Sequence, residues 1–188
     1  MSEPSQLFAR VRLSRARYEA FLATSFEIPA DDARFFEWLA AAKYYGEPIT
    51  AQNLHQRVAA SVCVRDWVAA VMAPPFPHPG VPSLGIDRYD GDAQTWTLAS
   101  LGFSESYDDF IPAVAIFRKL AEFLEPGEGG GLLIYRYLFG DGKIIAAMRV
   151  DPGSPVFLDE TASRTLVAES DSELSALMQR LYAASPEA

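Results

Sequence analysis

The chain has 188 residues, of which 49% are hydrophobic and 22% charged, a globular composition that argues against disorder. Its single cysteine, Cys63, excludes an intramolecular disulfide, and with only two histidines beside it a zinc centre of the usual kind is not expected. A net charge of −9 disfavours a broad nucleic-acid surface.

Leu7, Ala9, Val11 and Leu13 alternate with Phe8, Arg10 and Arg12, the period-two pattern of a half-buried strand. Ser14 stands where a helix N-cap is expected, followed by the apolar set Tyr18, Phe21 and Leu22. Asp31 or Asp32 caps a second predicted helix bearing Phe35, Phe36, Trp38 and Leu39, which ends near Gly46. Thr50 opens a third, with Leu54, Val58, Val62, Val68 and Met72 at near-helical spacing, and it stops before Pro74. The uncharged stretch from Trp67 to Ile86 is long enough to suggest a membrane helix, but it contains five prolines. It reads as a helix end running into a stiff connector. The N-terminus has no apolar run of signal-peptide length, so a cytoplasmic location is expected.

Two strands, Ser83–Tyr89 and Gln94–Phe103, are predicted around the turn Asp90-Gly91-Asp92. Ser106 to Leu124 reads as a long helix, apolar on most sides and therefore central. Asp141-Gly142 sits between two strand-like runs and predicts a hairpin. Val156–Leu158 adds a short strand, and Ser170-x-x-Glu173 resembles a capping box opening the last helix. The expected fold is a single α+β domain. A mainly helical part, about 1–73, and a proline-rich connector, 74–83, precede a sheet-rich part, about 84–188. The helical part packs on an antiparallel sheet with a central covering helix.

The chemistry has no obvious anchor. Gly127 to Gly131 follows a helix and precedes a strand, the reverse of a phosphate loop, and no Lys-Ser/Thr follows. Asp87, Asp90 and Asp92 supply only part of a calcium-loop ligand set, and turn chemistry explains the last two. Cys63 and His55, eight residues apart, would stand about 12 Å apart along a continuous helix, too far for a nucleophile and its base. His78 sits among prolines with no carboxylate marked out to meet it. No nucleophile elbow, His-Glu-x-x-His run or dinucleotide fingerprint is present, so neither enzyme activity, cofactor nor metal is expected.

A two-residue turn at Asp141-Gly142 would place Ile134 opposite Arg149 and make Arg136 a diagonal neighbour of Arg149. Arg10 and Arg12 would enlarge that cluster if the first strand joined the sheet. Such a face either pairs internally with acids or holds an anionic small ligand, as a binding protein or an enzyme. The acids, in turn, are unevenly placed: residues 1–80 balance 8 basic with 8 acidic side chains, whereas residues 81–188 carry 8 basic and 17 acidic ones. Glu122, Glu125, Glu128 and Asp108, with Trp96 and Tyr107 as aromatic anchors, form a candidate contact surface for a basic protein.

The acidic segment from Val81 onward, the missing signal peptide and the absent catalytic motif together resemble the profile of small acidic immunity proteins, which neutralise bacterial toxins in the producing cell. The resemblance is to a class profile and transfers no residues. It implies a non-enzymatic inhibitor, a monomer or weak homodimer, that blocks a basic toxin or effector with acidic and aromatic side chains. Nucleic acid and membrane are not expected partners.

Overall fold

In a computed structural model of the chain, residues 5–27, 33–41, 62–73, 85–104, 107–135 and 144–184 are described. Five helices and two antiparallel sheets account for most of them, giving the expected mixed α+β class. The strands are β1 (Ser5–Arg12), β2 (Ser25–Phe26), β3 (Val62–Cys63), β4 (Gly85–Asp90), β5 (Thr95–Ser104), β6 (Gly129–Tyr135), β7 (Ile144–Asp151) and β8 (Ser154–Phe157). The helices are α1 (Arg15–Leu22), α2 (Ala33–Ala41), α3 (Val64–Met72), α4 (Tyr107–Leu120) and α5 (Arg164–Ala184), with a 3₁₀ turn at Ala121–Phe123 closing α4.

The main sheet runs β4-β5-β1-β6-β7-β8, every neighbour antiparallel, and β2 pairs separately with β3. The first strand is therefore not an appendage of a helical part but lies at the middle of the sheet. Its two edges are hydrogen-bonded to β5 and β6, and alternate residues supply two cores. Leu7, Ala9 and Val11 join Trp96, Leu98, Leu132, Ile134 and Met148 in the larger core, beneath α1, α2, α3 and α4. Phe8 faces the other way, with Ala99, Leu133 and Ala147, against Leu174 and Leu177 of α5. Helix α4 is the buried central helix its composition predicts, with Ile111, Val114, Ile116, Phe117 and Leu120 all inaccessible.

Three local expectations give way. The helix expected to run unbroken to Met72 is interrupted at Val62–Cys63, which pair with Phe26 and Ser25, and α3 starts only at Val64. Val62 still packs on the core from an extended segment, so apolar spacing continues across a break that the spacing cannot reveal. Residues 51–61, including His55, the connector 74–83 and its His78, and the turn Asp141-Gly142 lie outside the described residues.

The last helix begins at Arg164 rather than Ser170. The Ser170 hydroxyl donates to the Val167 carbonyl inside the helix, and Glu173 serves the sheet instead of a cap. The β6–β7 register also differs: Ile134 faces Ala146 and Leu132 faces Met148, three residues from the alignment a two-residue turn requires. An odd shift exchanges faces, so Ile134 joins Ala146 and Met148 in the larger core.

Candidate functional site

Of the expected acidic and aromatic surface, Trp96 and Glu128 are taken up by the fold, whereas Glu122 and Glu125 stay exposed in surface ion pairs. Trp96 is inaccessible to solvent, stacked on Phe117 with 5.6 Å between ring centroids, and its Nε1 donates to Asp87 at 2.8 Å. As a core residue it cannot anchor a partner. Tyr107 and Asp108 open α4, and their side chains are outside the described set. Glu122 pairs with Lys119 at 2.5 Å and Glu125 with Arg17. Glu128 accepts hydrogen bonds from the backbone N–H of Ser14 at 2.8 Å and of Glu125 at 2.9 Å, and lies 3.6 Å from Arg17. It ties the start of α1 to the chain entering β6, and the Ser14 side chain makes no capping bond of its own.

The aromatic cluster beside it is equally structural. Tyr18 stacks on Tyr89 at 4.9 Å, and the Tyr89 hydroxyl donates to the Leu13 carbonyl at 2.9 Å. Burial, with the nearby Asp87 carboxylate adding to it, pushes the Tyr18 phenol up to about 12. Burial also raises the Tyr89 phenol. Asp90 is held below the ordinary carboxylate range because it accepts the N–H groups of Ala93 and Asp92 in the β4–β5 turn.

The sheet does bring arginines together. The registers align Arg88, Thr97, Arg10, Gly131 and Arg149 in one row across β4, β5, β1, β6 and β7. Arg10 and Arg88 both meet Glu173 of α5, at 2.7 and 3.4 Å, and Arg149 meets Asp151 at 2.6 Å. Between Arg10 and Arg149 the row has only Gly131, where a Cβ would come within 2.6 Å of the Leu166 side chain of α5. A small pocket of about 170 Å³ remains there, and its lining includes Glu169. The row is thus supplied with carboxylates from within the protein. Arg12 stands one row away, exposed and without an ion pair among the described residues, and Arg136 lies outside them.

A different surface was not anticipated. A cleft of about 480 Å³ opens between α2 and the start of β7, lined by Trp38, Ile145, Ala147, Phe157, Asp159 and Glu160 among others. Trp38 stacks on Phe157 with 5.7 Å between centroids and 12° between planes. Its Nε1 donates to the Ile145 carbonyl at 3.2 Å, which fixes the ring. Both rings are only partly buried. An adjoining depression adds Glu37 and Arg34 of α2, both exposed. Asp159 is engaged by the Ala162 N–H, whereas Glu37 and Glu160 have no ion pair among the described residues. Trp38 and Phe157 read as ordinary core residues in sequence, whereas in the structure their stacked rings form one wall of the cleft.

Among the described residues no three His, Cys, Asp or Glu side chains are arranged to hold a metal, and no helix is long and apolar enough to cross a membrane. Comparison with protein-family models, with curated proteins and with solved structures finds no match to this chain.

Proposed function

We propose that this chain is a non-enzymatic protein-binding protein, an inhibitor of the immunity type that neutralises a cognate bacterial toxin in the cytoplasm by direct contact. The observation that supports the reading is a division among its carboxylates. Glu173, Glu128, Glu125, Glu122 and Asp151 pair with cations or backbone donors of the same chain. Glu37, Glu160, Glu169 and Asp171 make no ion pair among the described residues, and they lie on α2, on the turn before α5 and on α5 itself. With a net charge of −9, this second set leaves a negative surface that speeds encounter with a cationic protein and disfavours an anionic one. The proposed contact therefore lies where Glu37 of α2 and Glu160 of the turn before α5 border the Trp38–Phe157 cleft and its adjoining depression, and not in the Glu122–Glu128 region.

Affinity capture from the native host, with the mass of the complex measured by light scattering, tests this reading. The expected result is a stoichiometric basic partner that is toxic when expressed alone, is silenced by co-expression with this chain, and binds more weakly as salt is raised. A chain that returns with no protein partner, or with one whose toxicity it does not change, overturns it.

A further inference from the structure

We infer that the cleft between α2 and the β7–β8 hairpin is the anchor pocket for an extended basic segment of a protein partner, one carrying an apolar side chain flanked by arginine or lysine. The inference rests on the protein-binding reading above and adds to it a place and a ligand chemistry. The cleft has an aromatic wall, Trp38 on Phe157, and a floor that includes Ile145 and Ala147 of β7. An apolar side chain entering it would lose its water shell against these groups. The Trp38 ring is already locked by its bond to the Ile145 carbonyl, so binding would not have to freeze it.

Charge selects the occupant. Three carboxylates, Glu37, Asp159 and Glu160, border the cleft and its adjoining depression, against the Arg34 guanidinium in the depression and that of Arg118, which lies 5.7 Å from the centre of the Phe157 ring. Asp159 is held by the Ala162 N–H, which leaves two exposed carboxylates, Glu160 in the lining of the cleft and Glu37 in that of the adjoining depression. Cationic side chains on either side of an inserted apolar residue would meet both. An acidic segment would be repelled, and a purely apolar one would leave both carboxylates without a counter-charge.

The chain's tryptophans supply the test. Trp67 and Trp96 are buried, whereas Trp38 is partly exposed, so an external quencher such as acrylamide reads mainly Trp38. The probe is a panel of short synthetic peptides in which leucine or phenylalanine is flanked by arginines, with glutamate-flanked and uncharged counterparts. The arginine peptides are expected to protect the fluorescence from acrylamide, an effect lost in Trp38→Phe, which keeps an aromatic wall. Glu37→Lys with Glu160→Lys should weaken binding by about tenfold or more, whereas Glu122→Lys with Glu125→Lys, a charge-matched change away from the cleft, should change it much less. Equal binding of the glutamate peptides, equal effects of the two double variants, or no protection by any arginine peptide would overturn the assignment. The broader reading fails separately. A captured host toxin that binds wild type and Glu37→Lys/Glu160→Lys equally well removes the cleft as the contact and leaves the inhibitor standing. Peptide binding without any host partner does the reverse.

Discussion

The two faces of the sheet are made by alternate residues of the same strands, yet they are closed in different ways. On one, Leu7, Ala9, Val11, Trp96, Leu98, Leu132, Ile134 and Met148 meet aliphatic and aromatic side chains from four helices. On the other, one helix covers Phe8, Ala99, Leu133 and Ala147, but the next row across the sheet is Arg88, Thr97, Arg10, Gly131 and Arg149. A single helix cannot cover six strands, so part of that face stays wet and is finished with charge. Helix α5 is packed along one row by leucines and tethered along the next by Glu173.

The sharpest test of this contrast is to remove one large side chain from the apolar face. Trp96→Ala, which deletes the ring stacked on Phe117, should cost about 3–5 kcal/mol in urea denaturation. A loss near 1 kcal/mol would mean that this core relaxes far more than its packing suggests. Gly130→Ala tests how closely the central strands approach. Its Cβ would collide with the Arg10 carbonyl and come within 2.6 Å of Val11 Cα, backbone that cannot swing aside, so a loss of about 3 kcal/mol is expected. Gly131→Ala should cost less, because its Cβ meets mainly the flexible Leu166 side chain and approaches backbone at the Met148 carbonyl, 2.9 Å away.

Alkaline titration probes the seam beside the larger core. The Tyr18 phenol is neutral to about 12 in the folded chain but ionises near pH 10 when unfolded. Between those values the unfolded state binds fewer protons, so stability is intact below about pH 10 and falls as pH rises toward 12, by about 2 kcal/mol. Urea midpoints followed from pH 9 to 12 should show this decline in the wild type and a shallower one in Tyr18→Phe. Parallel curves would place the titration elsewhere.

The charged row is expected to be worth less than the aromatic face. Glu173→Gln leaves Arg10 and Arg88 without their common carboxylate and should cost about 1 kcal/mol, because Glu173 is largely buried but both arginines reach solvent. Arg149→Ala breaks an exposed pair with Asp151 and should change stability by no more than about 0.5 kcal/mol. If Arg149→Ala proved as costly as Glu173→Gln, the row would have to be treated as one coupled network.

Much of the fold was legible before any coordinates. The alternation from Leu7 to Leu13, the Asp90-Gly91-Asp92 turn and the all-round apolar character of residues 110–124 each depend on near neighbours in the chain, and each produced the element expected. The candidate site was much less so. Trp96 is a surface anchor by residue type and a core residue by position, because its place opposite Val11 on the inner face depends on β1 entering the sheet beside β5. Glu125 and Glu128 look like a free acidic patch until Arg17, more than a hundred residues earlier, is folded against them.

The sequence by itself determined most of the strands and helices (though not the break at Val62–Cys63 or the start of α5), which residues of β1 divide between two faces, and how much acid the second half carries, since periodicity and charge are local properties of the chain. The tertiary structure decided that β1 lies at the centre of the sheet, that Glu173 ties α5 to two arginines, and that Trp38 stacks on Phe157 to wall a cleft. Those outcomes depend on pairings between residues far apart in sequence, whose register no single segment specifies.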